Sequence, residues 1–570
     1  MNPLNKIIHA ARGDFPVELL LTNVNLINVH SGEIYQTEIA INNGLIVGVG
    51  DSYQANETLN LNGKYAAPGF IDGHVHIESS MVVVPQFARA LVPLGTTSVV
   101  ADPHEIANVM GYEGIRFMME YAKYNPLNVF FMLPSCVPST NMETAGSRLR
   151  AFDIFPFLQE KWVLGLGEMM NFPGVINSDP EVLDKLIISA DKRIDGHAPG
   201  LTGKELIAYI AAGITSDHES TTADEALEKL RLGMYVMIRE GTGTKNLRDL
   251  LEIVTPENAR RCIFCTDDRH PHDILNEGHI NFMIKTAIEY GVDPVNAIRM
   301  ATLNTAEYFN LRKLGAIAPG YFADIVIIDD FQSFKIDTVI KNGKVVAKNG
   351  KVNYELVARP EIKLRSSVNI KWLEGDEFQI PVRGKNCRII GLIRDQIVTE
   401  SLVDEPKIVN GLVKSDPVRD ILRCYVVERH QASGNIGRGL VKGFGLKKGA
   451  IAGSISHDSH NIVVVGVDDD DIFKAVTQIN KMGGGLTVAA NGEIIDSLEL
   501  PIAGLMSGQP IEVVNKKMQR LNQLTQNLGC ELDDPFMAIS FLALPVIPEL
   551  KLTDLGLVDV KQFKLVDLFI

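Results

Sequence analysis

The chain has 570 residues, of which 46% are hydrophobic and 22% are charged, so it can bury a large core and is not globally disordered. Its 55 Lys and Arg against 70 Asp and Glu give a net charge of -15 with no basic run, which argues against nucleic acid and anionic membrane surfaces as partners. The six cysteines are too scattered for a disulfide framework. The sequence shows neither the apolar segment of a secretory signal nor the run of about 18 apolar residues that a membrane span needs, so we expect a cytoplasmic protein.

The first predicted region is a small antiparallel sheet. Short β-rich runs broken by Asn-Gly turns extend from Val17 to Tyr65. A similar texture returns from Gly320 to Val352. A long α/β stretch separates the two patches. Because their sequence texture is similar, we expect them to pair into one composite β-sandwich domain of residues 1–66 and 312–360.

Between these patches, residues 67–311 alternate apolar β-branched runs with helical patterns. Several runs are apolar throughout, as expected of strands buried on both faces. Eight such units fit a (β/α)8 TIM-like barrel, with a doubly wound open sheet as the alternative. The eight candidate strands are AAPGFIDGHVH, TSVVADPH, NVFFMLP, WVLGLGE, KRIDGH, GITSDH, MYVMIRE and RCIFCTDD.

The remainder of the chain, residues 361–570, predicts an additional C-terminal α/β domain. It has strands of its own in RIIGLI, RCYVVER and NIVVVGV, a glycine-rich hairpin in GGGLTVAANGEI and a helix in DIFKAVTQINKM. The glycine-rich segment lacks a following Lys-Ser/Thr and is therefore not a phosphate-binding loop.

The chemistry concentrates where the predicted barrel strands end, which is where barrel enzymes build their sites. The first strand ends in His74-Val75-His76, and residues i and i+2 of a strand point to the same side, so both imidazoles can reach one metal. Together with later strand ends this gives four nitrogens and two carboxylates, enough for two divalent ions. The later candidates are Glu168, His197, His218 and Asp267.

The order HxH, Glu, His, His, Asp on successive strands, introduced by PGFIDGHVH and followed by ADIVIID, resembles the amidohydrolase superfamily of metal-dependent hydrolases. Within it, PGFIDGHVHIESSMV, ADPHEIANV, CTDDRHPHDI and the late HDSHNIVVVG are similar to the adenine deaminases over nearly the whole chain. The resemblance implies two metal ions held by the six residues, with Glu168 bridging them. Mixed nitrogen and oxygen ligands suit manganese, iron or zinc, and the resemblance favours manganese.

The resemblance also implies a reaction, the hydrolytic deamination of adenine to hypoxanthine and ammonia in purine salvage. Hydroxide generated at the metals would attack C6 of the purine base. Asp267 is the expected proton shuttle to the leaving amine. Glu219, directly after His218, is the candidate acid for the ring nitrogen, with a solvated glutamate at a helix start as the alternative.

Further polar residues are candidates for substrate contacts. One hypothesis has the C-terminal domain close over the barrel mouth, of its own or a neighbouring subunit in a homodimer or higher homo-oligomer, and help recognise the purine. The alternative is a loop network that packs the domain against the barrel. The candidates are Glu78, Asp102, His104, His457 and His460.

Two other functions compete with adenine deamination. One is another amidohydrolase acting on a cyclic amide or an N-acyl substrate. A bridging lysine at the fourth strand end would favour the cyclic-amide hydrolases, and Glu168 occupies that place. The other is a non-catalytic barrel that serves as a scaffold, which has no physical need for six metal-binding side chains around one mouth.

Overall fold

The computed structural model of the chain describes residues 3–50, 52–355, 364–394 and 396–570. A short helix precedes the N-terminal strands, and the first strand pairs antiparallel with the second and parallel with the fourth and fifth. The elements of this region are α1 Pro3–Ala11, β1 Val17–Asn28, β2 Glu33–Asn42, β3 Leu45–Val49, β4 Ala55–Asn60 and β5 Tyr65–Pro68.

Eight parallel strands then follow, and all eight predicted barrel strands are confirmed. The first two are buried at every position, as expected of strands covered on both faces. The strands are β6 Phe70–Val75, β7 Thr96–Ala101, β8 Asn128–Leu133, β9 Val163–Met169, β10 Arg193–Gly196, β11 Ser216–Asp217, β12 Tyr235–Arg239 and β13 Cys262–Cys265.

Backbone hydrogen bonds join these strands into a ring. Strands β6 to β10 form one parallel sheet and β11 to β13 another. Thr215 N donates to Ile194 O at 3.1 Å between β10 and β11, and Asp267 N donates to His74 O at 2.9 Å between β13 and β6. The barrel is therefore closed, and the open-sheet alternative is wrong.

Helices connect and cover the barrel strands. Their starts follow local chemistry: Asp179 accepts from Glu181 N ahead of Pro180, and Thr222 accepts from Glu225 N. The helices are α2 Val84–Leu91, α3 His104–Met110, α4 Tyr112–Tyr121, α5 Ala151–Ile154, α6 Phe172–Ile176, α7 Pro180–Ile188, α8 Gly203–Ala211, α9 Ala223–Arg231, α10 Leu247–Leu251, α11 Pro271–Asn276, α12 Ile280–Glu289, α13 Pro294–Met300 and α14 Leu303–Tyr308.

The two β-rich patches form one composite sheet. Its later strands are β14 Ile325–Ile328, β15 Ile336–Lys341, β16 Lys344–Lys348 and β17 Lys351–Val352. Strand β14 pairs antiparallel with β5, so hydrogen bonding runs unbroken through nine strands. The sheet curls, because Ile46 N also donates to Tyr321 O at 2.9 Å, and apolar residues of both patches share one core.

The C-terminal region is built on an eight-stranded, mostly antiparallel sheet with smaller sheets beside it. The helix of residues 469–481 packs against the strands of residues 450–453, 462–466 and 485–490, and its buried side chains are apolar except for one aspartate. The elements are β18 Cys387–Leu392, β19 Thr399–Asp404, β20 Lys407–Val409, β21 Leu412–Lys414, β22 Ile421–Val427, β23 Ile436–Lys442, β24 Ala450–Gly453, β25 Ile462–Gly466, α15 Asp469–Lys481, β26 Gly485–Ala490, β27 Glu493–Glu499, α16 Ile511–Asn527, α17 Pro535–Ser540, β28 Leu550–Thr553, β29 Gly556–Asp559 and β30 Lys564–Val566.

The exact domain borders stay predictions. The proposed border after residue 66 falls inside β5, and the border after residue 360 lies outside the described residues. The described residues also form five short 3-10 helices, at Ile77–Ser80, Val92–Leu94, Phe157–Gln159, Ala259–Arg261 and Asp376–Phe378. In the described part of the chain, no helix has both the length and the apolar character to cross a membrane.

Candidate metal centre and active site

The six side chains expected to bind metal come together at one end of the barrel. Each lies in a parallel strand or within two residues of its C-terminal end, so the barrel geometry alone brings them to one mouth. They are His74 in β6, His76 after it, Glu168 in β9, His197 after β10, His218 after β11 and Asp267 after β13.

The carboxylate of Glu168 is at the centre of this group. Its Oε1 lies 3.2 Å from Nε2 of His76 and 3.9 Å from Nε2 of His74. Its Oε2 lies 2.6 Å from Nδ1 of His197 and 3.2 Å from Nε2 of His218. Among the six candidate ligands, each oxygen thus faces different imidazoles, as expected of a carboxylate shared by two cations.

Asp267 adds a second carboxylate to the first pair. Its Oδ1 lies 3.0 Å from Nε2 of His76 and 3.7 Å from Nε2 of His74. Its Oδ2 accepts a hydrogen bond of 2.8 Å from the guanidinium of Arg239, at the end of β12. One carboxylate oxygen therefore faces the imidazoles, and the other is held by a buried cation.

The polar atoms of the cluster fit divalent cations. His76 donates from Nδ1 to the carbonyl oxygen of Asp102 at 2.9 Å, which leaves the lone pair of Nε2 directed at the carboxylates. Both ring nitrogens of His218 are buried without a hydrogen-bond partner, although Nε2 lies near Glu168. Since a buried unpaired polar atom costs free energy, a cation at this nitrogen is the arrangement that best satisfies it.

The electrostatics of His74 and Glu168 point the same way. Burial, followed by the neighbouring imidazoles, holds the pKa of His74 well below its ordinary value, so its neutral form offers a lone pair. Burial acts to raise the pKa of Glu168, but the surrounding imidazoles outweigh it and hold that pKa well below its usual range. Glu168 is thus an anion among five imidazoles, those of His74, His76, His104, His197 and His218.

Glu219 is placed beside the cluster, but in an ion pair. Its carboxylate receives hydrogen bonds from the guanidinium of Arg239, one of them 3.1 Å long from Nη2 to Oε2. It also lies 3.7 Å from Nε2 of His218. Glu219 is thus held against Arg239 beside the cluster, and its proton-donor role stays a prediction.

Three candidate substrate-binding residues surround the same cluster from the barrel side. His104, at the start of α3, has Nδ1 3.2 Å from Oε1 of Glu168. Asp102 accepts from the backbone N of Glu168 at 3.2 Å, and its Oδ1 is buried without a partner. Glu78 accepts from Ile106 N at 3.1 Å, and its Oε2 is likewise buried and unpartnered.

The remaining two candidates reach the barrel from the C-terminal region of the same chain. Nδ1 of His457 lies 2.6 Å from Oε1 of Glu105 in α3, and Nε2 of His460 pairs with Oε2 of the same carboxylate. The loop between β24 and β25 therefore lies against the mouth of its own barrel.

Sequence reasoning did not single out Arg239, Glu143 or Lys229 as functional residues. Arg239 ends the otherwise apolar strand β12, and a charged residue in that position is the signal that was available. Glu143 lies in a loop and Lys229 in a helix with several charges, so the sequence around them resembles ordinary solvated surface. Both are nonetheless buried.

Comparison with known proteins agrees with this geometry. The adenine deaminase of Desulfatibacillum aliphaticivorans is 52% identical over 567 residues, covering 99% of both chains. Adenine deaminase 2 of Carboxydothermus hydrogenoformans is 50% identical, also covering 99% of both. The chain belongs to the adenine deaminase family. Family models add that residues 65–346 match the amidohydrolase family and residues 396–564 match the adenine deaminase C-terminal domain.

Among solved structures, a crystal structure titled as an adenine deaminase aligns with 58% of this chain and all of its own, at 20% identity and a TM-score of 0.45. The family assignment rests on the full-length sequence relatives.

Proposed function

We propose that the protein hydrolyses adenine to hypoxanthine and ammonia, as a cytoplasmic homo-oligomer serving purine salvage. The observation that carries this proposal is that the two Glu168 oxygens face different candidate metal-binding imidazoles. It is found in a chain whose full-length relatives are named adenine deaminases. A non-catalytic scaffold would have no need for this arrangement. The two full-length relatives are named for adenine, and not for a cyclic amide or an N-acyl substrate.

The distances support one assignment of the proposed ligands. His74, His76 and Asp267 would hold one cation, His197 and His218 the other, with Glu168 between them. Two divalent ions, when bound, lower the pKa of water enough to supply hydroxide near neutrality. We propose manganese, with iron and zinc as alternatives for the same nitrogen and oxygen ligands.

Asp267 is the proposed proton shuttle. Deamination needs one proton on the ring nitrogen next to C6 and one on the departing amino group, and the consumed water supplies both. Asp267 is suited to carry them because Arg239 binds its Oδ2 and leaves Oδ1 toward the reaction centre. For Glu219, which pairs with the same guanidinium, we propose that it orients Arg239.

The experiment that tests this function measures ammonia release by the manganese-loaded protein. Adenine, adenosine, guanine, cytosine and a cyclic amide are offered separately, each with a chelated control. Turnover of adenine that the chelator abolishes is expected. Turnover of the cyclic amide without turnover of adenine would refute the proposal.

A further inference from the structure

A loop of the C-terminal region, residues 456–461, is clamped to the barrel mouth through Glu105. This carboxylate pairs with His457 and His460. Ser456 N donates to Nδ1 of His460 at 3.1 Å, which places the ring proton of the neutral imidazole on Nε2, facing Glu105. The three side chains form a hydrogen-bonded cluster that attaches the loop to the barrel.

A second set of contacts holds the other end of the loop. Ser459 Oγ donates to Oε2 of Glu143 at 2.8 Å, and Asn461 Nδ2 donates to the carbonyl of Thr144 at 2.8 Å. Both acceptors belong to the barrel segment that follows β8. Asp458 stands between the two attachments, so its side chain is fixed relative to the barrel.

Asp458 is one imidazole ring away from the bridging carboxylate. Its Oδ1 lies 3.9 Å from Nε2 of His104, and Nδ1 of the same ring lies 3.2 Å from Oε1 of Glu168. The side chain is buried, yet Oδ2 has no hydrogen-bond partner. A buried acceptor without a donor costs free energy, so the site is arranged for a ligand that brings an N–H or O–H group.

The charge of Asp458 supports the same conclusion. Burial raises the pKa of this carboxyl group to about 6, against the lowering effect of His104, so it remains ionised at neutral pH. An ionised carboxylate forms stronger hydrogen bonds than a neutral acceptor.

We propose that Asp458 determines specificity by accepting a hydrogen bond from the N–H group of the five-membered ring of a purine base. The proposal rests on the function proposed above, in which C6 reacts beside Glu168 and the five-membered ring extends away from it. Free adenine carries an N–H there, whereas a nucleoside carries its sugar on that ring. The C-terminal domain thereby selects the free base over the N9-substituted purine.

The test compares Asp458→Asn with the wild type, both loaded with manganese and checked for equal metal content and unfolding midpoint. The amide keeps the size of the side chain and removes its charge. KM for adenine is expected to rise about tenfold or more, because one hydrogen bond to a charged group is lost. The value of kcat is expected to change less than about threefold. Ser459→Ala is the matched control, since it removes a loop contact beside Asp458.

A second measurement needs no variant. The wild-type protein is expected to bind 9-methyladenine at least about tenfold more weakly than adenine. In Asp458→Asn the dissociation constants of the two bases should differ by a smaller factor. Equal binding of the two bases by the wild type would overturn the proposal. So would an equal rise in KM for both variants, which would indicate loop packing alone. Failure of the wild type to release ammonia from adenine would instead refute the function on which the proposal rests.

Discussion

Lys229 is a buried cation whose loss should affect one metal position more than the other. Its ammonium donates to the carbonyl of Ala198 at 3.0 Å, Oδ2 of Asp217 at 2.8 Å, Oγ of Ser220 at 3.1 Å and Oε1 of Glu225 at 2.7 Å. Its side chain has no solvent exposure. Burial opposes ionisation of Asp217, but Lys229 outweighs it and the pKa of Asp217 is about 2.

These contacts join the two loops that carry one pair of proposed metal ligands. Ala198 directly follows His197, and Asp217 directly precedes His218. Changing Lys229→Met leaves a buried carboxylate without its counter-ion, which typically costs about 3–5 kcal/mol of folding free energy. Loss of a group that orients metal ligands typically lowers metal affinity about 10- to 100-fold.

The assay is a calorimetric titration of chelator-treated protein with Mn2+, resolving the two binding events. The variant is expected to bind the ion at His74 and His76 with unchanged affinity and the ion at His197 and His218 about 10- to 100-fold more weakly. Lys341→Met is the control, because it breaks another buried ion pair, with Asp324, in the composite sheet. Equal weakening of both ions, or the same effect in the control, would refute the reasoning.

Two further predictions concern carboxylates beside the site. Glu219→Gln keeps a hydrogen bond to Arg239, so steady-state kinetics should show that kcat decreases by less than about tenfold. A decrease of about 10²- to 10⁴-fold would instead support Glu219 as the general acid. Glu143 is buried and its pKa is raised to about 7, so its neutral form stabilises the fold below about pH 4.5 and this contribution is lost as the pH rises through 7. Urea unfolding of both proteins at pH 5 and pH 8 measures this effect. On going to pH 8, the free energy of unfolding of Glu143→Gln should increase by up to about 3 kcal/mol relative to that of the wild type. The same difference in unfolding free energy at both pH values would contradict the raised pKa of Glu143.

The barrel and the clustering of the candidate ligands were predictable because they depend on local patterns. Strands buried on both faces are rich in apolar residues, and the end of a barrel strand fixes the place of a residue such as His218 without knowledge of distant contacts. The sequence also predicted that the two β-rich patches pair, and the structure shows that β5 and β14 make the contact.

The contacts between the C-terminal loop and the barrel mouth could not be predicted from local sequence patterns. Glu105 and His460 are 355 positions apart, and their pairing depends on how the C-terminal sheet packs against the barrel. Lys229 lies in a helix rich in charged residues, and periodicity alone does not distinguish a buried ammonium from a solvated one. The guanidinium that contacts Glu219 comes from another strand, so the sequence around Glu219 does not reveal it.

The most direct test of the two-ion centre is the number of manganese ions at which adenine deamination begins. Chelator-treated protein is titrated with Mn2+ while the conversion of adenine to hypoxanthine is followed by ultraviolet absorbance. With Glu168 shared between two imidazole pairs, activity should increase with the second equivalent of metal per chain and vanish when chelator is restored. Full activity at one equivalent, or activity that persists in the chelator, would contradict this centre.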